Sequence, residues 1–517
     1  MLVPLLLLAW TLRLLPILDN RFHPDEALYG YWGLLIGRGI DPWLTTVPAD
    51  KPPLLPYLVA GAQALFGNSE FSVRSVGLAA GLVTVPLVAA LSRSLYRDRW
   101  AAAAAICVAL SPFAILFSAT AFTDPLMVAL GVAACAAAAR GRAAWAGLLA
   151  GLAVATKQTG LVWVPLVVVI QSPKPKAQSR RVSRELPVLS CLIVVLLVLM
   201  LVFAWDAVRV ARGAEGFWRA GVSDFGGLRL IWPHELAARL RGWLGLARYL
   251  FDSPVVTAVC LIGLELLLWR ALARHPRARE SFVDLCLVSF LVIYCLLHWL
   301  WAFPVWDRYL LPLVPVLAVL LGRILSLFTS LLCSNPSPAP IAPPPNPPIH
   351  RLPLARCPSL PRCHLSFIIY HLSFVICHLS LLLLLFLPAL NAARSLYPVG
   401  GDHGAYDGMD AVVAFLHGLP EGTVVYHHWL GWHYRYHLFD APVYLAYWPT
   451  PAWLARDVQA FGAAEPRYLT VPAFDATARV DRALAGVGYG LDPVLATTRR
   501  DGTPSFTVYR VLPLAVP

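Results

Sequence analysis

Acidic and basic side chains recur where the apolar segments of this chain end. Two carboxylic acids stand side by side after the first apolar run, and further acids and three cations follow later runs. These residues are Asp25, Glu26, Asp50, Lys51, Asp124, Lys157 and Arg308. A carboxylate within reach of a hydroxyl can act as its general base, and fixed cations can stabilise negative charge on a departing group. These residue types therefore predict transfer chemistry if the intervening segments bring them to one place.

The composition determines what kind of element must carry these residues. The chain has 517 residues, of which 58% are hydrophobic and 14% are charged, whereas soluble domains carry about 25% charged residues. The apolar residues form long runs instead of alternating, which favours membrane-spanning helices over a β-barrel. Two of these helices are shorter than the roughly 20 residues of a full span, 143–156 and 160–171. They would lie in a thinned or protein-lined region, or form one broken hairpin. In all we expect about eleven helices, at 1–18, 76–92, 101–119, 124–139, 143–156, 160–171, 186–205, 253–269, 281–301, 309–330 and 365–388.

The distribution of charge predicts the orientation of these helices. If the N-terminus is cytoplasmic, Lys and Arg far outnumber Asp and Glu in the inner loops, which are 93–99, 140–142, 174–185, 270–280 and 323–362. This is the bias of cytoplasmic loops, and it accounts for most of the net charge of +12 without nucleic acid as a partner. The segments 19–75, 206–252 and 391–517 then lie outside the cell membrane, and the acids and cations named above fall at outer helix ends.

The chain is expected to have four parts. They are a transmembrane domain with the candidate site at 1–330, a proline-rich cytoplasmic linker at 331–364, a last transmembrane helix at 365–388 and an extracytoplasmic domain at 391–517. A seven-residue repeat around the start of the last helix places three histidines near one helix face, His364, His371 and His378. The repeat could form a proton path, but a low-complexity insertion is the simpler interpretation.

The extracytoplasmic domain changes character from Tyr406 onward, because strands alternate with helices and a final hairpin turns at Asp501-Gly502. This order is typical of a small α/β domain. Its unusual feature is a run of aromatic residues and histidines at 426–437, called here the aromatic–histidine cluster. The cluster could line a groove for a sugar or an acceptor, or it could dock the domain on the membrane surface. Both interpretations stay open.

The order and sidedness of the short motifs resemble those of a known family. They are similar to the GT-C glycosyltransferases that use polyprenyl-phosphate sugars, which include protein O-mannosyltransferases and the bacterial aminoarabinose transferase of lipid A, of families 39 and 83. The resemblance covers about residues 1–320 and leaves out the linker, the histidine repeat and the outer domain. The motifs that carry it are His23-Pro-Asp25-Glu26, Asp50-Lys51-Pro-Pro, Thr123-Asp124, Thr156-Lys157 and Arg308-Tyr-Leu-Leu-Pro.

The resemblance implies that a monosaccharide moves from a polyprenyl-phosphate donor to an acceptor hydroxyl at the outer face of the cell membrane. It gives Asp25 the role of general base, and Glu26 would orient its neighbours. Because the phosphate gains negative charge as the C1–O bond breaks, three cations are predicted to bind it, Lys51, Lys157 and Arg308. Direct displacement with one base predicts inversion at the anomeric carbon. The acceptor stays open between a protein, a lipid and a glycan.

A divalent metal cation is a further candidate, because related enzymes differ in whether they need metal. Asp124 could act as a second acid that holds either the acceptor or such a cation. Carboxylates with an imidazole would form a hard or borderline ligand set, from Asp25, Asp50 and Asp124 with His23 or His234. Asp50 and His234 are the predicted metal ligands.

Two other classes are compatible with a polytopic chain. A secondary transporter or lipid flippase would also have many helices, but transporters usually show duplicated halves with broken helices near the membrane midplane. The sequence shows no such duplication, and its charges gather at the outer rim. A sensor or scaffold would leave the paired acids and the three cations unexplained. The second outer segment, 206–252, predicts either an interfacial helix beside a lipid groove or a structural loop.

Overall fold

The protein consists of a helical membrane domain followed by a small sheet domain. A computed structural model describes residues 2–98, 100–171, 182–224, 229–273, 279–333, 360–475 and 477–514. The α-helices of the membrane domain are α1 Leu2–Asp19, α2 Pro24–Gly37, α3 Leu54–Phe66, α4 Glu70–Tyr96, α5 Ala101–Leu110, α6 Pro112–Ser118, α7 Thr123–Ala139, α8 Ala143–Thr156, α9 Trp163–Gln171, α10 Val182–Ala211, α11 Phe217–Asp224, α12 Leu236–Ala247, α13 Pro254–Ala273, α14 Arg279–Leu300, α15 Leu313–Cys333 and α16 Leu360–Ala393. Short 3-10 turns lie at Gln158–Val162, Pro233–Glu235, Arg248–Leu250 and Asp307–Leu310.

The expected helical membrane architecture is confirmed. Each predicted apolar segment overlaps a helix or the bent pair α5–α6. Among the described residues, seven helices are long and apolar enough to cross a membrane, and the bent pair would make eight: α1, α4, α10, α13, α14, α15 and α16, then α5–α6. The helices α7, α8 and α9 are shorter, so the expected eleven helices are present but not all are full-length spans.

A buried arginine explains how the break between α5 and α6 is tolerated inside an apolar domain. Pro112 has no backbone N–H, so the carbonyl of Val108 loses its usual helical partner. The fully buried guanidinium of Arg13 on α1 replaces it, donating to the carbonyl oxygens of Val108 at 3.0 Å and Ala109 at 3.0 Å. A third nitrogen, Nε, donates to the hydroxyl of Ser118 at 3.3 Å. The helices therefore bend by 58° without leaving these carbonyls unpaired.

The first outer segment, 19–75, contains two helices that the sequence analysis did not predict, α2 and α3. These two helices pack against each other. His23 caps α2, because its side chain accepts from the backbone N–H of Asp25 at 3.1 Å. Glu26 completes the capping box by accepting from the N–H of His23 at 2.9 Å. Pro24 occupies the first helical position, where a missing N–H costs nothing. Asp25 is thereby fixed in the first turn of α2.

The C-terminal domain is the α/β unit that the sequence predicted. Its elements are α17 Met409–His417, β1 Val424–His427, α18 Gly431–His437, β2 Tyr444–Tyr447, α19 Pro451–Phe461, β3 Arg467–Pro472, α20 Ala478–Ala485, β4 Tyr489–Thr498 and β5 Pro504–Pro513. The sheet order is β2-β1-β3-β5-β4. Strands β1, β2 and β3 are parallel, while β5 runs antiparallel to β3 and β4. The β4–β5 hairpin turns at Asp501-Gly502 as expected.

The aromatic–histidine cluster docks the C-terminal domain on the first outer segment. Helix α18 packs against α2, and the ring of Tyr436 lies against Gly30, where a Cβ atom would come within 2.9 Å of it. The same ring contacts Phe22 edge-on at 5.1 Å. His433 is buried, with its Nε2 atom 2.9 Å from the carbonyl oxygen of Phe22. This part of the cluster binds protein instead of lining an open groove.

The linker and the histidine repeat are described only in part. Residues 334–359 lie outside the described residues, as do the side chains of His364 and His371. His378 stacks on Trp100 at 5.1 Å and packs against Phe374. The contacts of His378 are those of a residue packed between helices.

Candidate active site

A buried ion pair fixes the start of α2 to the membrane domain. Arg74 on α4 donates from Nε to Glu26 Oε1 at 2.8 Å and from Nη2 to Oε2 at 2.9 Å. Both side chains are almost completely buried. Glu26 also accepts from the backbone N–H of Ala121 at 2.9 Å, just before α7. We call Arg74 and Glu26 the buried clamp.

The buried clamp also holds the chain that leads from α1 into α2. Arg74 donates from Nη1 to the carbonyl of Asn20 at 2.7 Å and from Nη2 to that of Arg21 at 2.7 Å. Both carboxylate oxygens of Glu26 are therefore occupied by protein donors. The neighbouring carboxylate of Asp25 is left to face the site.

Asp25 lies beside one of the predicted phosphate-binding cations. Arg308 Nη1 is 2.6 Å from Asp25 Oδ2, and the guanidinium is stacked over the rings of Trp306 at 4.4 Å and Phe122 at 5.1 Å. Burial raises the pKa of Asp25, but the charges of Arg308 and His23 outweigh burial and hold that pKa below its ordinary value. Asp25 is therefore ionised at neutral pH and able to accept a proton.

Asp124 and Lys157 form a second ion pair, which is buried. Lys157 Nζ lies 2.6 Å from Asp124 Oδ1 and 4.6 Å from the ring centre of Tyr309. Lys157 stands between α8 and the following 3-10 turn, and Asp124 is in the first turn of α7. The start of α7 and the end of α8 therefore meet at this ion pair.

Lys51 forms the third pair with its chain neighbour Asp50. The backbone around this pair is held by Gln158, whose side-chain amide donates to the carbonyl of Asp50 at 2.6 Å. Gly221 of α11 lies against the same two groups. The first outer segment, the α8–α9 junction and the second outer segment therefore meet at Lys51.

The three cations line one cavity of about 330 Å³, called here the site cavity. Each is contributed by a different segment of the chain. The other walls are largely apolar and aromatic, formed by residues that include Trp218, Leu297, His298, Trp301, Phe303 and Tyr309. A cavity with apolar walls and a few placed charges is typical of a small-molecule or lipid-headgroup site. The arrangement suits an anion that carries an apolar tail.

The predicted metal-ligand set is not brought together. Among the described residues, no group of three His, Cys, Asp or Glu side chains is arranged to hold a metal ion. Asp50 is paired with Lys51 and Asp124 with Lys157. His234 is exposed in the 3-10 turn before α12. Asp50 and His234 as metal ligands therefore stay a prediction.

Sequence reasoning missed Arg74 and His298. Arg74 was placed in the outer loop, because the apolar run of α4 was taken to begin at 76, whereas α4 begins at Glu70. His298 lies in an apolar segment that was correctly predicted, and an ionisable residue inside such a segment is a signal for function in itself. Trp218 of the second outer segment also lines the site cavity.

The comparisons with known proteins agree with this architecture. A crystal structure of ArnT from Cupriavidus metallidurans bound to undecaprenyl phosphate is similar to this chain, with a TM-score of 0.62 and 14% identity over 98% of this chain and 97% of that chain. This chain has the GT-C glycosyltransferase fold. The resemblance to GT-C glycosyltransferases seen in the sequence is thereby confirmed.

Other matches extend this assignment. The GT-C fold also relates the chain to the oligosaccharyltransferase of Archaeoglobus fulgidus, solved in complex with Zn and sulfate, with a TM-score of 0.52 and 13% identity over 98% of this chain and 72% of that chain. Residues 50–205 match the family described as dolichyl-phosphate-mannose-protein mannosyltransferase. No curated protein matches this GT-C chain in sequence.

We predict that the two neighbouring acids of α2 differ in what they stabilise. Glu26→Gln should destabilise the protein by about 3 kcal/mol, because it removes the carboxylate that is hydrogen-bonded to the buried Arg74 and leaves only the more distant Glu70, at 3.6 Å, as a charge partner. Asp25→Asn should melt close to wild type, because its side chain is about one-third exposed and ion pairs near the surface contribute little. Thermal unfolding of the detergent-purified variants measures both. A Glu26→Gln protein as stable as Asp25→Asn would contradict the buried clamp.

Proposed function

We propose that this protein transfers a monosaccharide from a polyprenyl-phosphate donor to an acceptor hydroxyl at the outer face of the cell membrane, with inversion. One observation carries the proposal: Lys51, Lys157 and Arg308 line a single apolar-walled cavity with Asp25 beside it. A lipid phosphate needs cations for its headgroup and apolar walls for its tail. The match of residues 50–205 to a family that uses dolichyl-phosphate mannose supports this donor class.

The three cations would act most strongly on the leaving group. As the bond between the anomeric carbon and the phosphate oxygen breaks, that oxygen gains negative charge. A cation fixed beside it therefore stabilises the transition state more than the bound donor. Each cation is paired with a carboxylate. Binding of the phosphate would draw the cations towards it without leaving an isolated positive charge in the cavity.

Asp25 is the carboxylate best suited to be the base. Its side chain is 33% exposed, compared with 15% for Asp50 and 2% for Asp124. An acceptor hydroxyl can therefore reach Asp25 most easily. A retaining reaction would need a second carboxylate as nucleophile, and the two other carboxylates are held by lysines. These contacts support direct displacement with inversion.

A donor panel tests the proposal. The purified full-length protein in detergent is incubated with radiolabelled polyprenyl-phosphate sugars, together with protein, lipid and glycan acceptors in separate reactions. We expect consumption of one donor and the appearance of label in one acceptor class, with the opposite anomeric configuration. A transporter or flippase would leave every donor intact, so a protein that binds these lipids without consuming them would favour that alternative.

We predict that Asp25→Asn lowers kcat at least about 100-fold, because the amide keeps the shape of the side chain and loses its basicity. Affinity for the donor should change little, since the three cations remain. Initial rates with the donor identified by the panel measure kcat and KM. Asp440→Asn is the matched control, because Asp440 pairs with Arg38 on an exposed surface. A wild-type kcat in Asp25→Asn would remove this residue from the role of base.

We predict unequal effects when the cations are replaced. Lys51→Met and Lys157→Met should each slow transfer, and the cation nearest the leaving oxygen should lower kcat more than it raises KM. Arg308→Lys should also be impaired although its charge survives, because lysine cannot reproduce the planar fork of a guanidinium. Steady-state kinetics of the three variants measure these effects, with the exposed Arg38→Met as control.

Retention of both kinetic parameters in all three cation variants would contradict the proposed phosphate site. The cations would then be anchors at the membrane surface, and the leaving group would need another source of stabilisation. A uniform rise in KM with unchanged kcat would assign them to donor binding alone.

We predict that the C-terminal domain is extracytoplasmic, as the charge of the inner loops implies. A cysteine at the exposed Glu421 should react with a membrane-impermeant maleimide in intact cells or spheroplasts. A cysteine at the exposed Arg140, between α7 and α8, should react only after lysis. Labelling of the parent protein, which has its own cysteines, is subtracted. The reverse pattern would invert the topology and move the site to the cytoplasm.

A further inference from the structure

His298 presents an unused polar atom in the site cavity. Its side chain is 5% exposed and lines the cavity near the end of α14. The Nδ1 atom lies 2.9 Å from the carbonyl oxygen of Tyr294. The Nε2 atom is buried and has no hydrogen-bond partner among the residues that the structure describes. Buried polar atoms are nearly always paired, so this atom points to a partner that binds in the cavity.

The contact of Nδ1 determines what Nε2 can bind. A carbonyl oxygen only accepts hydrogen bonds, so Nδ1 of His298 must carry the proton. In the neutral ring Nε2 is then an acceptor. A protonated ring would place a charge in a buried, largely apolar position where Nε2 has no acceptor among the described residues, which is unfavourable. His298 therefore accepts a hydrogen bond, and its partner must be a donor such as a hydroxyl group.

Trp301 supplies the complementary group. It also lines the site cavity, and its buried Nε1–H has no acceptor among the described residues. Indole N–H is only a donor. An acceptor on His298 and a donor on Trp301 in the same cavity match hydroxyl groups, which can both donate and accept. The neighbouring rings of Phe303 and Tyr309 offer flat apolar surface, on which the C–H face of a sugar ring can pack.

The backbone that carries both residues is held in place by the second outer segment. Arg239 of α12 donates to the carbonyl oxygens of His298 at 2.8 Å and Trp301 at 2.6 Å. The indole N–H of Trp243 also donates to the carbonyl of His298, at 3.0 Å. The imidazole itself is stacked on Tyr294 at 4.2 Å. These contacts fix the end of α14, so the two polar atoms are preorganised.

We infer that His298 and Trp301 bind hydroxyl groups of the donor sugar and so determine which sugar the protein accepts. The inference rests on the proposed function and extends it to the sugar, whereas the three cations bind the phosphate. The phosphate itself cannot be the partner of a neutral Nε2, because a phosphodiester has no proton to donate. His298 is thus a specificity-determining residue.

The test separates recognition of the sugar from recognition of the phosphate. The probes are bare undecaprenyl phosphate and undecaprenyl phosphate linked to mannose, glucose, galactose or arabinose, and their affinities for the full-length protein are measured in detergent. His298→Phe keeps an aromatic ring for stacking and removes both nitrogens. We expect it to bind the bare lipid like wild type and to lose about 10-fold in affinity for the preferred sugar-linked lipid.

Two further measurements make the assignment specific. His298→Gln restores a polar group at the cavity wall and should recover part of the lost affinity. Among deoxy analogues of the preferred sugar, one should lower the affinity of the wild-type protein about as much as His298→Phe does. The loss of the same hydroxyl should not lower the affinity of His298→Phe any further. Melting temperatures of both variants show whether a loss reflects unfolding, and Trp301→Phe provides a second, independent variant.

The outcomes are distinct. An equal loss for bare and sugar-linked lipids would mean that His298 acts on the phosphate, and no loss for any lipid would mean that it only packs; either result overturns the inference. A wild-type protein that binds every sugar-linked lipid no better than the bare one would also overturn it, while the phosphate site would stand. If wild type binds no polyprenyl phosphate at all, the proposed function fails as well.

Discussion

The buried clamp between Arg74 and Glu26 is the interaction on which the site depends. It joins α4, the end of α1, the start of α2 and the backbone before α7 through charge-assisted hydrogen bonds. Such a pair repays its desolvation only when every donor and acceptor is used, and here nearly all are. The position of Asp25 depends on this clamp, because Asp25 is next to Glu26 in the same helical turn.

The site that the clamp holds pairs each of its three cations with a carboxylate. Lys51, Lys157 and Arg308 each contact a carboxylate from the same rim of the membrane domain. Charges near the bilayer are costly unless they are paired or solvated. This pairing allows three cations to line an apolar cavity. The cations are therefore already placed, and an anionic ligand needs only to change their partners.

The sequence predicted the elements of this site better than their roles in it. Lys157 and Arg308 could be found because they stand at the ends of apolar runs on one side of the membrane. Their pairing could not be predicted, because Asp124 and Lys157 are brought together by tertiary packing that no local pattern encodes. For the same reason the contact between Asp50, which was assigned to a metal, and Lys51 could not be predicted. Arg74 was missed because the first turn of α4 is polar, so that a hydropathy pattern places the start of this helix too late in the chain.

The bend between α5 and α6 has a consequence for how the protein is made. Arg13 belongs to α1, while the carbonyl oxygens that hold it, on Val108 and Ala109, lie 95 and 96 residues further along the chain and are synthesised later. An arginine without partners is unfavourable in the bilayer core. We therefore expect α1 to reach its final depth only after α5 and α6 have been synthesised, and insertion of these helices not to proceed strictly one at a time.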